Sequence, residues 1–385
     1  MYNVTYVPSP DRITPLTKLL RDTISSRGPI PFREFMAQAL YHPAHGYYES
    51  GRAAIGRHGD FITSVSVGRL FGTLLARQFE EMWERLGRPG KFSLIEQGAH
   101  DGTLMEDVLL ALKENAPDCL SSAQPVIIEP AEGWREKQRE RLAAWPVQWV
   151  DSVDSLDPFT GIHFSNELLD AFPVHLVRRR ADGWAELYVD WDGDRLILVD
   201  KVVSGSELQR RADRLDVPVG YRTEFNLDAT RWLRTLGQKL LRGFVLVIDY
   251  GFPQFEYYRP DRIEGTLEAV AGHRREKDIL ARPGELDLTA HVDFTDLAVV
   301  ALSSGLSLEG FTDQHHFLVG LAPRHFPEGE QPSASDMRAF QTLAHPTMLG
   351  RSFKVFAAAR DVLRGKLLAG FSQSKPAPEL LGLTL

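Results

Sequence analysis

The chain opens on helical periodicity. Apolar residues at three- and four-residue steps predict short helices over Pro15–Arg27 and Phe32–Ala39, on either side of the Gly28-Pro29 break. An aromatic loop, His42–Gly51, follows, and its His45-Gly46-Tyr47-Tyr48 run reads as a packing plug rather than a stacking site for bases. Leu70, Leu74, Phe79, Met82 and Leu86 then mark one face of a longer helix, Leu70–Leu86, stopped by Gly87-Arg88-Pro89-Gly90. From Phe92 the rhythm changes. Short apolar runs at Phe92–Gln97, Pro125–Glu129, Val147–Val150, Gly161–Ser165 and Gly243–Asp249 read as strands, with helices at Leu104–Asn115 and Gly133–Ala144. Such alternation predicts βαβ units and a mostly parallel sheet with helices on both faces.

Two stretches break the alternation. Within Val174–Lys201, the pieces His175–Arg180, Trp184–Trp191 and Arg195–Val199 are separated by Ala181-Asp182-Gly183 and Asp192-Gly193-Asp194, both good hairpin turns. This predicts an antiparallel insertion between the fourth and fifth sheet strands. Gln254–His291 is charged and aperiodic, and predicts loops and short helices. A final antiparallel strand is expected from Gly310–Ala322, apolar at Phe317–Leu321. The resulting division is an N-terminal helical and lid segment (1–90), a Rossmann-like core (91–172 and 240–325), an inserted lobe (173–239), and C-terminal helices with a tail (326–385). The lobe is expected to pack with the N-terminal helices.

Composition narrows the class without naming it. A chain of 385 residues, 43% hydrophobic and 25% charged, has the material for a large core. Its formal charge of −8 leaves no electrostatic footprint for nucleic acid. The single cysteine, Cys119, excludes an intramolecular disulfide and a cysteine-based zinc site, and no metal site is expected. With no signal core near Met1 and no membrane-length apolar run, the expectation is a cytoplasmic protein without membrane contact.

Chemistry enters at the end of the first strand. Leu94-Ile95-Glu96-Gln97-Gly98-Ala99-His100-Asp101-Gly102-Thr103 runs from an apolar strand through an acidic residue and a glycine-bearing turn into a helix. Glycines let a backbone approach a bound cofactor closely, and a helix N-terminus offers free N–H groups. Glu129, 27 positions after Gly102, closes the next strand and can accept from both ribose hydroxyls. This constellation fits an adenosine-type cofactor, NAD included. Glu96 tips the balance toward S-adenosylmethionine: a carboxylate there repels a pyrophosphate and attracts a cationic methionine moiety. The fourth strand ends in Ser165-Asn166-Glu167-Leu168-Leu169-Asp170-Ala171-Phe172-Pro173, where open α/β sheets bind ligands. Glu167 and Asp170 can orient a nitrogen nucleophile there, or simply cap a following helix.

The chain also resembles the MidA-like family of class I methyltransferases, along nearly its whole length. The resemblance rests on Leu40-Tyr41-His42-Pro43-Ala44-His45-Gly46-Tyr47-Tyr48, Gly59-Asp60-Phe61-Ile62-Thr63-Ser64, Asn166–Pro173, Ile248-Asp249-Tyr250-Gly251, His273, Gly284–Phe294 and Phe353-Lys354-Val355. It implies a Rossmann-like class I methyltransferase sheet, S-adenosylmethionine as cofactor, and transfer of methyl to arginine side chains of a protein. Two departures stand out. The usual Glu-x-Gly-x-Gly-x-Gly turn carries His100 as its middle residue, and Ser66 replaces an acidic residue after Thr63-Ser64.

The expected cofactor residues are therefore Asp60, Thr63, Glu96, Gly98, His100, Gly102, Thr103, Glu129, Asp151 and Asn166. Among them Asp60 and Thr63 belong to a lid, and Asp151, just after the third strand, is placed for the adenine amino group. Glu167, Asp170 and His291 are the catalytic candidates, with His291 equally readable as a packed structural histidine. Three functions stay open: a methyltransferase acting on a protein, one acting on a small molecule, and a non-catalytic assembly protein with a degenerate cofactor turn. An NAD-linked oxidoreductase is a fourth.

Overall fold

The long apolar runs form one twisted sheet. In the computed structural model, which describes residues 13–49, 63–271, 274–326, 332–363 and 365–384, the chain divides into two compact units. The second unit (62–170, 228–257 and 291–385) holds an eight-stranded sheet. Its strands are β1 (Phe92–Gln97), β2 (Ala123–Ile128), β3 (Gln148–Val150), β4 (Phe159–Asn166), β5 (Leu240–Phe252), β6 (Ser307–Asp313) and β7 (Phe353–Arg360). They are ordered β3-β2-β1-β4-β5-β7-β6, and the short strand Val292–Asp293 pairs parallel with the end of β5. The pairs β2–β3, β1–β2, β1–β4 and β4–β5 are parallel, whereas β7 runs antiparallel to both β5 and β6. The order reverses between β1 and β4, so the carboxyl ends of those strands flank the switch point where such sheets hold ligands.

Helices α1 (Leu70–Arg85), α2 (Thr103–Asn115), α3 (Glu132–Arg141), α4 (Leu227–Lys239), α5 (Phe294–Ser303) and α6 (Gln314–His325) supply the layers around it. Leu74, Phe79 and Met82 of α1 are fully buried, and the rings of Phe79 and Phe164 on β4 lie 4.8 Å apart. This helix belongs to the sheet's core rather than to an N-terminal segment, because its apolar stripe is wide enough to bury along its whole length. Among the described residues no helix is long and apolar enough to cross a membrane.

Of the antiparallel strand expected from Gly310–Ala322, the part up to Asp313 is present as β6, while its apolar stretch Phe317–Leu321 is instead helix. Strand β6 ends at Asp313, whose carboxylate accepts the backbone N–H of His316 at 2.9 Å and so caps α6. Phe317, Leu318 and Leu321 are buried at positions that share one helical face, which a short apolar run alone does not reveal. The C-terminal segment, expected as helices and tail, supplies β7. Ala357, Ala358 and Ala359 within it are fully buried between β5 and β6.

The first unit (1–61, 171–227 and 258–290) contains the N-terminal helices Pro15–Arg27 and Phe32–Tyr41 together with the hairpin insertion. The strands Ile30–Pro31, His175–Arg180, Gly183–Trp191, Leu196–Lys201 and Arg222–Phe225 form its antiparallel sheet. In the aromatic loop, Tyr47 is buried and the Tyr48 hydroxyl hydrogen-bonds Asp287 at 3.0 Å, so this segment packs. Where loops were expected, Glu268–Ala271, Arg274–Glu276 and Asp287–Thr289 make a second, three-stranded sheet. Strands of three or four residues are too short to display alternation, and the exposed charges of Arg274 and Arg275 mask it further.

Candidate functional site

Strand β1 carries Glu96 into the turn with only 2% of its surface exposed. Burial, reinforced by Asp101 and Asp107, pushes its carboxyl up to about 8. Its Oε2 is buried with no partner among the described residues. The turn then needs left-handed backbone three times: Gly98 has φ 78°, His100 φ 48° and Gly102 φ 84°. Gly98 and Gly102 supply it at no steric cost. A Cβ on Gly98 would lie 3.2 Å from Leu168 Cδ1, and one on Gly102 would lie 3.1 Å from Leu142 Cδ1. At His100 a histidine adopts the angle instead, so the departure from glycine leaves the turn intact. Its ring packs 4.2 Å from that of Trp134, and its Nδ1 stands 3.7 Å from Asp101.

Asp101 ties the turn to α2. Its Oδ1 accepts the backbone N–H of Thr103 at 3.1 Å and the Thr103 hydroxyl at 2.7 Å, and its Oδ2 pairs with Arg141 at 2.8 Å. Burial works against its charge, yet the nearby His100 ring, the hydrogen bonds from Thr103 and the Arg141 cation hold it below the usual carboxylate range. Thr103 thus serves the helix start. Glu129 follows β2, nearly buried: Oε1 accepts the N–H of Ala131 at 3.0 Å and Oε2 that of Gln138 at 3.3 Å. Asp151 lies beyond β3, 74% exposed and paired with Arg135, whose guanidinium also donates to the Glu129 carbonyl at 2.6 Å.

The second cluster forms where β4 and β5 end. Asn166 closes β4, donating from Nδ2 to Glu167 Oε1 at 3.0 Å; its own Oδ1 is buried without a partner among the described residues. Glu167 sits at φ 54° and donates its N–H to the Ile248 carbonyl at 2.9 Å. No helix follows it, so capping does not explain Glu167 or Asp170. Asp170 is buried beside Asp249, which ends the apolar part of β5 and is itself wholly buried. Burial, then Asp170 and Glu167, raise the Asp249 carboxyl well above the usual range. Burial and the same three acids raise the Tyr250 hydroxyl. His291 sits in the same unit with its ring 5.0 Å from Phe252 and 6.3 Å from Tyr250.

The remaining expectations separate. Asp60 lies outside the described residues, as does His273. Thr63 is buried and exchanges hydrogen bonds with Ser66: Ser66 N–H reaches Thr63 Oγ1 at 3.2 Å and Thr63 N–H reaches Ser66 Oγ at 3.1 Å. The serine that replaces the family's acidic residue therefore caps a turn. Asp293, two residues after His291, caps α5 by accepting the N–H of Asp296 at 3.1 Å. Asp249, Tyr250 and Gln138 were not singled out from the sequence as site residues. The signals for Asp249 were its place at the end of an apolar strand run and its membership of the Ile248-Asp249-Tyr250-Gly251 motif.

These residues fit S-adenosylmethionine. A buried carboxylate oxygen without a partner among the described residues, a turn whose two glycines take left-handed backbone angles, and an acid at the end of the neighbouring strand suit a cationic adenosine derivative. Comparison with known proteins agrees. A family model described as S-adenosyl-L-methionine-dependent methyltransferase matches residues 74–312. The protein arginine methyltransferase NDUFAF7, mitochondrial, of Mus musculus is 28% identical, covering 95% of this chain and 88% of its own length. Its Drosophila melanogaster homologue is also 28% identical, over 93% and 88% respectively. A Burkholderia thailandensis protein crystallised with S-adenosyl-homocysteine superposes with a TM-score of 0.87 at 32% identity, covering 97% of this chain and 100% of that one.

The names of the curated relatives place those proteins in mitochondria, which overturns the cytoplasmic expectation. Scarce cysteine fits more than one reducing compartment, so composition had no power to decide it. The dinucleotide reading falls as well. The chain belongs to the family of S-adenosyl-L-methionine-dependent methyltransferases, and S-adenosylmethionine is its cofactor.

Proposed function

We propose that this chain methylates arginine side chains of a protein. The observation that carries the reading is the acidic cluster of Glu167, Asp170 and Asp249 at the ends of β4 and β5. Two carboxylates that raise the proton affinity of a third, wholly buried one concentrate negative charge where a cation is favoured. A guanidinium suits the place, because its planar fork meets carboxylates through paired hydrogen bonds. The names of the curated relatives support the same acceptor.

When bound, S-adenosylmethionine supplies an electrophilic methyl group. The residues of this chain then have to place a nitrogen and free its electron pair. In this reading Glu167 and Asp170 grip the guanidinium and draw its charge toward the far nitrogens. The Glu167 carboxylate receives the proton that the methylated nitrogen gives up. Asp249 does not move: its hydrogen bonds to the backbone of Leu168 and Leu169 fix the loop that carries both acids. On the cofactor side, Glu96, the turn Gly98–Gly102, Glu129 and Asn166 are the proposed contacts, with Asp151 toward the adenine and Thr63 near the lid. His291, beside Tyr250 and Phe252, is proposed to border the acceptor.

The test is a transfer assay with labelled S-adenosylmethionine and a cell lysate separated into protein and small-molecule fractions. Label in protein, located on arginine by mass spectrometry, supports the reading. Label confined to small molecules overturns it.

A further inference from the structure

Gln138 has no exposed surface, and its side-chain amide joins three segments of the cofactor site. Its Nε2 donates to the His100 carbonyl at 2.7 Å and to Glu129 Oε2 at 3.3 Å. Its Oε1 accepts the indole N–H of Trp149 at 2.9 Å. The amide can face only one way. An indole nitrogen only donates, and a carbonyl and a carboxylate only accept, so a flipped amide would oppose like groups at all three contacts. The partners come from the turn after β1, from the end of β2 and from β3. One of them, His100, is a non-glycine residue at φ 48°, a backbone state that needs outside support.

We propose that Gln138 is the positioning residue of the cofactor site. Its amide holds the left-handed peptide of His100 and aims the Glu129 carboxylate at the ribose hydroxyls of S-adenosylmethionine. This rests on the proposed role of Glu129 as the ribose ligand. The contact from Gln138 occupies one lone pair of Oε2, and the N–H of Ala131 occupies one of Oε1. Together they fix the plane of the carboxylate. A leucine in place of Gln138 fills similar space and removes both donors, releasing the carboxylate to rotate. Trp149 acts one step further out, as the donor that sets which end of the amide faces the site.

The experiment is calorimetric titration of the full chain with S-adenosylhomocysteine and with its 2′-deoxyribose analogue. In the native protein the missing hydroxyl should raise Kd about tenfold, the size of a lost hydrogen bond to a charged group. In Gln138→Leu the Kd for S-adenosylhomocysteine should rise about tenfold, and the 2′-deoxy penalty should shrink to about twofold. A purely structural glutamine would weaken both ligands equally, so an undiminished penalty in the folded variant overturns the proposal. Should Gln138→Leu not fold, Trp149→Phe takes its place: a reduced penalty supports the proposal and a full one overturns it. Glu129→Ala separates the two levels. A full penalty there overturns the ribose reading and this proposal with it. A collapsed penalty there beside a full one in Gln138→Leu overturns the proposal alone.

Discussion

Asp249 holds the backbone of Leu169: its Oδ2 lies 2.8 Å from that residue's amide nitrogen and 3.1 Å from that of Leu168. One buried carboxylate on β5 thus anchors the loop leaving β4, where both Glu167 and Asp170 reside. Asp249→Ala removes the side-chain acceptor of three backbone N–H groups, those of Leu168, Leu169 and Tyr250, and a buried donor left unsatisfied costs about 1–3 kcal/mol. The melting temperature should fall and methyl transfer should be lost, while S-adenosylhomocysteine still binds. Loss of binding in equal measure would place Asp249 in the cofactor site instead.

Glu167→Gln keeps the shape of the side chain and removes its charge. Turnover should drop by orders of magnitude, with the Kd for S-adenosylhomocysteine unchanged within a few-fold. Steady-state kinetics beside calorimetry read the two effects separately.

The backbone at His100 makes a sharper demand than its ring. At φ 48° alanine is strained and glycine is not. His100→Gly should therefore be more stable than His100→Ala by about 1 kcal/mol, since both lose the same packing on Trp134. Denaturant titrations compare them directly; equal stability would mean the turn relaxes when the ring is gone.

Glu96 makes stability depend on pH. Its carboxyl titrates near 4.5 when unperturbed and near 8 in the folded protein, so the folded state binds the proton more tightly. Unfolding between those values releases a proton, and stability falls as pH rises across the window. Glu96→Gln keeps an acceptor for the Met105 N–H and cannot ionise. Relative to the native protein it should gain stability on the order of 4 kcal/mol at pH 8.5 and less than about 1 kcal/mol at pH 5. A gain of the same size at both values would rule out the buried ionisation.

Much of the sheet was legible in the sequence because Phe92–Gln97, Gly161–Ser165 and Gly243–Asp249 are largely buried and read as short runs rich in apolar residues. The three-residue strands near Arg274 and Asp287 offer no such run, and the helix over Phe317–Leu321 imitates one. The cofactor turn was legible for a different reason: Glu96, Gly98 and Gly102 are neighbours in the chain. Asp249 and Gln138 are not. Their roles exist only once β5 lies beside β4 and α3 closes over the turn, and neither residue type at either position announces that contact.

The account stands most directly on one measurement. Purified protein carrying labelled S-adenosylmethionine is offered the protein fraction of a lysate, and the site of transfer is read by mass spectrometry in the native chain and in Glu167→Gln. The account predicts methylated arginine with the native chain, and none with a Glu167→Gln variant that still binds the cofactor. Methylation of another residue type, or undiminished transfer by Glu167→Gln, would contradict it.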